Sequence, residues 1–110
     1  MGLKQHWFYI LLALAQGATH GAEIRRRVAE HTDGTLKLYP AMLYGSLEDL
    51  QDQGYISEID EQSGRPTGGN ERYRYYRLTP AGSSELAAET RRLEQVTRIA
   101  REAMAPGSTR

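Results

Sequence analysis

Residues 38–55, LYPAMLYGSLEDLQDQGY, constrain the fold more than any other stretch, because both ends and both faces of one helix can be read from them. Leu43, Leu47 and Leu50 recur at i, i+4 and i+7, which places them on one narrow stripe that must face a core. The opposite side carries Ala41, Gly45, Glu48 and Asp52, with Met42, Tyr44 and Asp49 on its flanks. Its first two exposed turns are therefore almost without bulk. Pro40 suits a first helical position, having no N–H to lose and a φ that is already helical, and Gly54 suits a left-handed stop. The stretch predicts a helix over 40–53, on the order of 21 Å long at about 1.5 Å per residue. One face is buried, and something can come close to the other.

A chain of 110 residues is a single domain and a small one for building a core alone, which makes a partner subunit expected. The absence of cysteine excludes disulfides, thiolate metal sites and cysteine nucleophiles. The longest apolar run, Trp7 to Ala15, is far short of the roughly 20 residues that span a bilayer, and no cleavage pattern follows it. The chain is expected to be cytoplasmic, with no membrane partner. His6, His20 and His31 lack metal-ligand spacing, and no nucleophile–base pair, phosphate loop or paired acid is present. No enzyme and no cofactor are expected. Fourteen basic residues balance 14 acidic ones, so overall charge gives no nucleic-acid signal. The distribution is uneven, however: residues 1–60 hold five Lys/Arg against eight Asp/Glu, and 61–110 hold nine Arg against six Glu.

In chain order, Gln5 to Ala15 reads as a helix apolar nearly all round, with Trp7, Ile10, Leu11 and Leu14 on one face and Phe8, Leu12 and Ala15 widening it. That girth points to a second subunit. Gly17 and Gly21 bracket a new start, and Ile24 and Val28 mark the buried side of a helix to about His31, from which Arg25, Arg26 and Arg27 point mostly outward. Thr32-Asp33-Gly34 ends it, and Thr35 to Leu38 is a short β-prone lead. After Gly54 the period changes to two, with strands expected at 55–60 and 72–78 around the long glycine-rich loop EQSGRPTGGNE. Thr79 and Pro80 supply an N-cap and a first-turn proline for a last helix running to about Ala105. Leu86, Leu93 and Ala100 recur every seven residues along it, with Val96, Ile99, Ala103 and Met104 beside them and Glu89 interrupting, a seam suited to a partner.

This order (helix, helix, short strand, amphipathic helix, strand, basic loop, strand) is that of a winged helix-turn-helix, mainly α with a small β-hairpin, followed by a long C-terminal helix. Three stretches also resemble the PadR-like family of transcriptional regulators: HGAEI at 20–24, LYPAMLYGSLEDLQDQGYI at 38–56 and YYRLTPAGSSEL at 75–86. The resemblance covers roughly residues 5–86 and implies a homodimeric repressor of a nearby gene. Its implied organisation is a DNA-binding domain at 1–78 and a dimerisation helix and tail at 79–110, the helix crossing to the partner subunit. Carried over by position, Tyr44 matches a tyrosine whose hydroxyl is expected at a DNA phosphate, and Pro40 and Leu43 match the opening and core of the recognition helix. Two departures stand out. Tyr39 replaces a serine able to cap that helix, and Glu48 and Asp49 stand where basic residues are common. A groove-facing Glu can still accept from cytosine N4, and the arginines of the wing at 61–72 become more necessary.

The expected double-stranded DNA contacts are Tyr39, Ala41, Met42, Tyr44, Gly45, Arg65, Arg72 and Arg74. The expected dimer interface comprises Trp7, Ile10, Leu11, Leu86, Leu93, Val96 and Ala100. Trp7 and Phe8 are more simply core or interface residues than a platform for a planar ligand, although the resemblance implies an aromatic effector between the first and last helices. Tyr44 could equally be a half-buried helix tyrosine, and the hairpin arginines could merely solubilise an edge. For Arg25–Arg27 a solvated face is favoured over phosphate contact. Against the regulator stands a second function: a winged-helix protein-interaction module without DNA binding, motivated by Glu48, Asp49, Asp52 and the balanced charge.

Overall fold

The computed structural model describes residues 2–60 and 74–107. Four helices and three strands follow one another as α1 (Gln5–Ala15), β1 (Thr19–His20), α2 (Gly21–His31), α3 (Pro40–Asp52), β2 (Ile56–Asp60), β3 (Arg74–Leu78) and α4 (Pro80–Met104). This is the expected winged helix-turn-helix with a long last helix. The sheet is antiparallel in the order β1-β3-β2, with Glu58 opposite Tyr76 and Thr19 also opposite Tyr76. Where the sequence suggested a strand at Thr35–Leu38, the chain makes a loop, and the short strand lies earlier, at Thr19–His20. The reason is local. The Thr32 carbonyl accepts from the Thr35 hydroxyl at 2.7 Å and the Thr32 Oγ1 accepts from the Leu36 amide at 3.2 Å, which wraps this segment into a turn.

One core joins the elements. Ile10, Leu11, Ala13 and Leu14 of α1 meet Ile24 and Val28 of α2, the Leu43–Leu47–Leu50 stripe of α3, and Ile56 and Tyr76 of the sheet. The expected stripe of α3 is thus the buried one. Ile10 and Leu11 have no exposed surface at all, which removes them from the expected dimer interface: α1 packs on α2, α4 and the sheet within a single chain. Trp7 and Leu86 are partly buried against the same core.

Helix ends are closed by the residues that the sequence marked. Gly54 takes φ 81°, and the Tyr55 amide donates back to the Leu50 carbonyl while the Gly54 amide donates to Gln51, the two bonds of a Schellman stop. Thr79 then ties this stop to the start of α4. Its hydroxyl donates to the Gly54 carbonyl at 2.6 Å and accepts from the Gly82 amide at 3.0 Å, and its amide donates to the Tyr55 carbonyl. Gly82 is held so close that a Cβ there would overlap the Tyr55 carbonyl oxygen. The Thr-x-x-Gly spacing at 79–82 is therefore a docking device that fixes α4 on the end of α3.

α4 has 25 residues, on the order of 37 Å at about 1.5 Å per residue, and the molecule measures 59 × 27 × 20 Å. Its first half lies against α1 and the second half projects. Glu89, which breaks the apolar seam, is buried: it pairs with Arg92 at 2.5 Å and accepts from the Leu3 amide, tying the N-terminal segment to α4. Arg92 holds the Glu89 carboxyl below the usual carboxylate range. Val96, Ile99 and Met104 beyond it stand exposed, as does Ala100.

Candidate nucleic-acid interface

The open face of α3 begins at Tyr39, 67% exposed, and continues through Ala41, Met42 (46% exposed), Tyr44 (43% exposed) and Gly45 to Glu48, Asp49 and Asp52. All are on the side away from the leucine stripe. Gly45 is informative because the described part of the fold gives no reason for it. Among the described residues a Cβ at this position would meet no heavy atom within 4 Å, and its φ is not in the left-handed region. A helix-interior glycine costs roughly 0.5–1 kcal/mol relative to alanine, and no contact among the described residues offsets that cost. Ala41, one turn earlier, extends the same smooth surface. The N-cap residue Tyr39 makes no side-chain hydrogen bond to the helix, leaving the first turn of α3 uncapped.

Tyr44 does not project freely. Its hydroxyl lies over Gly21 at the start of α2, where an added Cβ would come within 2.6 Å of it and 3.1 Å of the ring carbon Cζ. Gly21 therefore sets the pose of Tyr44, a pairing that spacing could not reveal, since the two residues are on different helices. His20 caps α2 by accepting from the Glu23 amide at 3.3 Å and stacks edge-on against Tyr75 of β3.

The arginines of α2 differ from the solvated triplet that the sequence suggested. Arg27 donates to the carbonyls of Ala13 and Gly17, both at 2.9 Å, clamping the end of α1. Arg26 pairs with Glu23 at 2.7 Å and approaches Glu30 at 3.6 Å, and the hydrogen bonds from Arg26 and then Arg27 pull the Glu23 carboxyl down to about 2. Arg25 donates from Nε to the Leu38 carbonyl at 2.7 Å, fastening α2 to the segment before α3. Lys37, to which no role was assigned, stands exposed beside it.

Arg74 lies on β3, 3.3 Å from the Glu58 carboxylate and within hydrogen-bonding reach of the Tyr76 hydroxyl. Burial raises the Tyr76 phenol above its ordinary value. The Arg74 charge is thus offset locally, in a polar hollow of about 460 Å³ that Tyr44, Glu48 and Glu58 also line. Arg65 and Arg72, and the expected wing at 61–72, lie outside the described residues. Phe8 lines an open cleft of about 440 Å³ between α1 and α4, with Leu93, Thr97 and Arg101 opposite. Trp7 is not in its wall. One residue apart on a helix, the two rings point about 100° from each other, and Trp7 turns to the core with Lys4 Nζ 4.9 Å above it.

Among the described residues no group of three or more His, Cys, Asp or Glu could hold a metal ion, and no helix is long and apolar enough to cross a membrane.

Residues 10–88 match the transcriptional regulator PadR-like family. The transcriptional regulator Rv3488 of Mycobacterium tuberculosis is 33% identical over 90 residues, which span 82% of this chain and 77% of that protein. The fold is shared with the PadR-like transcriptional regulator BC4206 of Bacillus cereus, at a TM-score of 0.72 and 18% identity over 91% of each chain. It is also shared with BpsR of Bordetella bronchiseptica, whose DNA binding is regulated by 6-hydroxynicotinic acid, at a TM-score of 0.70 and 21% identity, covering 94% of this chain and 65% of that one.

Proposed function

This chain belongs to the PadR-like family of transcriptional regulators, and we propose that it acts as a sequence-specific DNA-binding homodimer that represses transcription. The observation that carries this reading is the open face of α3, above all a helix-interior Gly45 that nothing among the described residues requires. In the major groove, Ala41 and Gly45 let the helix backbone come up to base edges, and Met42 offers an apolar contact for a thymine methyl group. Tyr44, posed by Gly21, reaches a flanking phosphate with its hydroxyl, and Tyr39 lies at the entrance. Arg65, Arg72 and Arg74 of the wing region add contacts to the backbone, which position the protein without reading sequence.

Residues 1–78 form the DNA-binding unit, and 79–110 supply the dimerisation helix. Exposed Val96, Ile99 and Met104, in line with Leu93 and Ala100, support pairing through the projecting half of α4. An aromatic effector of the kind that regulates BpsR would lie against Phe8 in the cleft between α1 and α4. One observation favours a second reading, a protein-interaction module that does not bind DNA: Glu48, Asp49 and Asp52 are all exposed on the α3 face.

Selection from a random duplex pool separates the two. The regulator reading expects enrichment of a two-fold symmetric site with half-sites about one helical turn apart, roughly 10 bp, and weaker retention of that site by Tyr44→Ala. Failure to enrich any sequence would favour the interaction module.

A further inference from the structure

The two ends of α3 differ in charge. Glu48, Asp49 and Asp52 gather at its C-terminal end, whereas the cleft beside its N-terminal end, between α2 and residues 37–39, is lined by Arg25, Arg26, Lys37 and Tyr39, with no carboxylate among the described residues of its wall. This cleft is about 360 Å³. Ala22 and Ala29, two turns apart on α2, line it as well, so a group can settle close to the helix there. The cations are not equivalent. Arg26 is already engaged by Glu23 and Glu30, but among the described residues neither Arg25 nor Lys37 is in an ion pair. The bond from Arg25 to the Leu38 carbonyl orients the guanidinium without cancelling its charge. Tyr39 joins the rim of the cleft to the open face of α3.

We infer that this cleft seats one phosphate of the DNA backbone, held by the Lys37 ammonium and the Arg25 guanidinium, at the edge of the groove that α3 enters. The inference rests on the DNA-binding reading and deepens it. A phosphate fixed at the N-terminal end turns the acidic end of the helix away from the backbone that Lys37 grips. The two charges together thus set the direction in which α3 lies in the groove.

The test is equilibrium binding of the full chain to the duplex selected from the random pool, measured across a range of salt concentrations for wild type, Lys37→Gln and Lys37→Arg. Lys37 is exposed and lies in a loop, so its replacement leaves the fold intact. Each phosphate contact contributes about 0.9 to the slope of log affinity against log salt, so Lys37→Gln should flatten the slope by about 0.9 per engaged protomer. Lys37→Arg should keep the slope, and base preference should be the same in all three, because a phosphate contact carries no sequence information. An unchanged slope and affinity in Lys37→Gln, with Tyr44→Ala still weakened, would overturn the phosphate seat and leave the DNA-binding reading standing. An altered base preference in Lys37→Gln would also overturn it, assigning Lys37 to base edges. No duplex bound by wild type at low salt would overturn both.

Discussion

Replacing Gly45 with alanine should make the protein more stable and a poorer DNA binder. Among the described residues nothing lies within 4 Å of a Cβ at position 45, so the methyl group neither clashes with them nor buries against them. What remains is backbone: alanine restricts the unfolded chain and favours the helix by roughly 0.5–1 kcal/mol. For a domain of this size that corresponds to a rise in Tm of roughly 2–8 °C. In urea the midpoint should rise with an unchanged m value, since the surface exposed on unfolding is the same. Helix propensity contributes equally to free and bound protein, so it cannot change affinity. Any loss of binding in Gly45→Ala reports the methyl group standing between helix backbone and base edges. A variant less stable than wild type would show that the fold itself needs Gly45. One that is more stable and binds DNA as tightly as wild type would show that the helix backbone does not approach the bases here, and the principal support for the regulator mechanism would be gone.

Gly82→Ala should do the opposite, destabilising by about 1–3 kcal/mol in chemical denaturation because the new methyl group overlaps the immovable Tyr55 carbonyl. Gly21→Ala meets the far end of a flexible side chain, so it should displace the Tyr44 ring and weaken DNA binding while costing little stability; equal affinity would detach Tyr44 from the interface. Glu23, lowered from the usual 4.5 to about 2 by Arg26 and Arg27, contributes stability that is complete above pH 4.5 and lost as pH falls toward 2. Thermal unfolding of wild type and Glu23→Gln should therefore converge as pH falls from 4.5 through 2, and a gap that stays constant over that range would contradict this. Glu89→Ala strands Arg92 and the Leu3 amide, so hydrogen exchange at residues 3–5 should accelerate before that of the α3 core.

The helices were legible because periodicity and punctuation agreed. Pro40 and Gly54 bracket α3, Thr79-Pro80 opens α4, and Asp33-Gly34 closes α2, with only one- or two-residue differences at the ends. The stripped face of α3 was legible for the same reason, since face assignment follows from the leucine stripe. Pairings between elements were not. A two-residue strand at 19–20 has no period to detect. The partners of Arg25 and Arg27 are 13 and 14 residues away on other segments, and Tyr44 meets Gly21 across two helices. The girth of α1 suggested a second subunit because covering it from within one chain requires α2, α4 and the sheet to converge, which composition cannot convey. Glu89 read as a flaw in a seam and proved to be the anchor of the N-terminal segment.

If the open face of α3 binds a specific duplex with the help of phosphate contacts, binding must depend on both sequence and salt. The most direct test is the affinity of the purified protein for the DNA immediately upstream of its own gene, at two salt concentrations, against an unrelated duplex of equal length. Binding should be preferential and fall steeply with salt, as counterion release requires. Equal affinity for both duplexes, or no binding even at low salt, would contradict it.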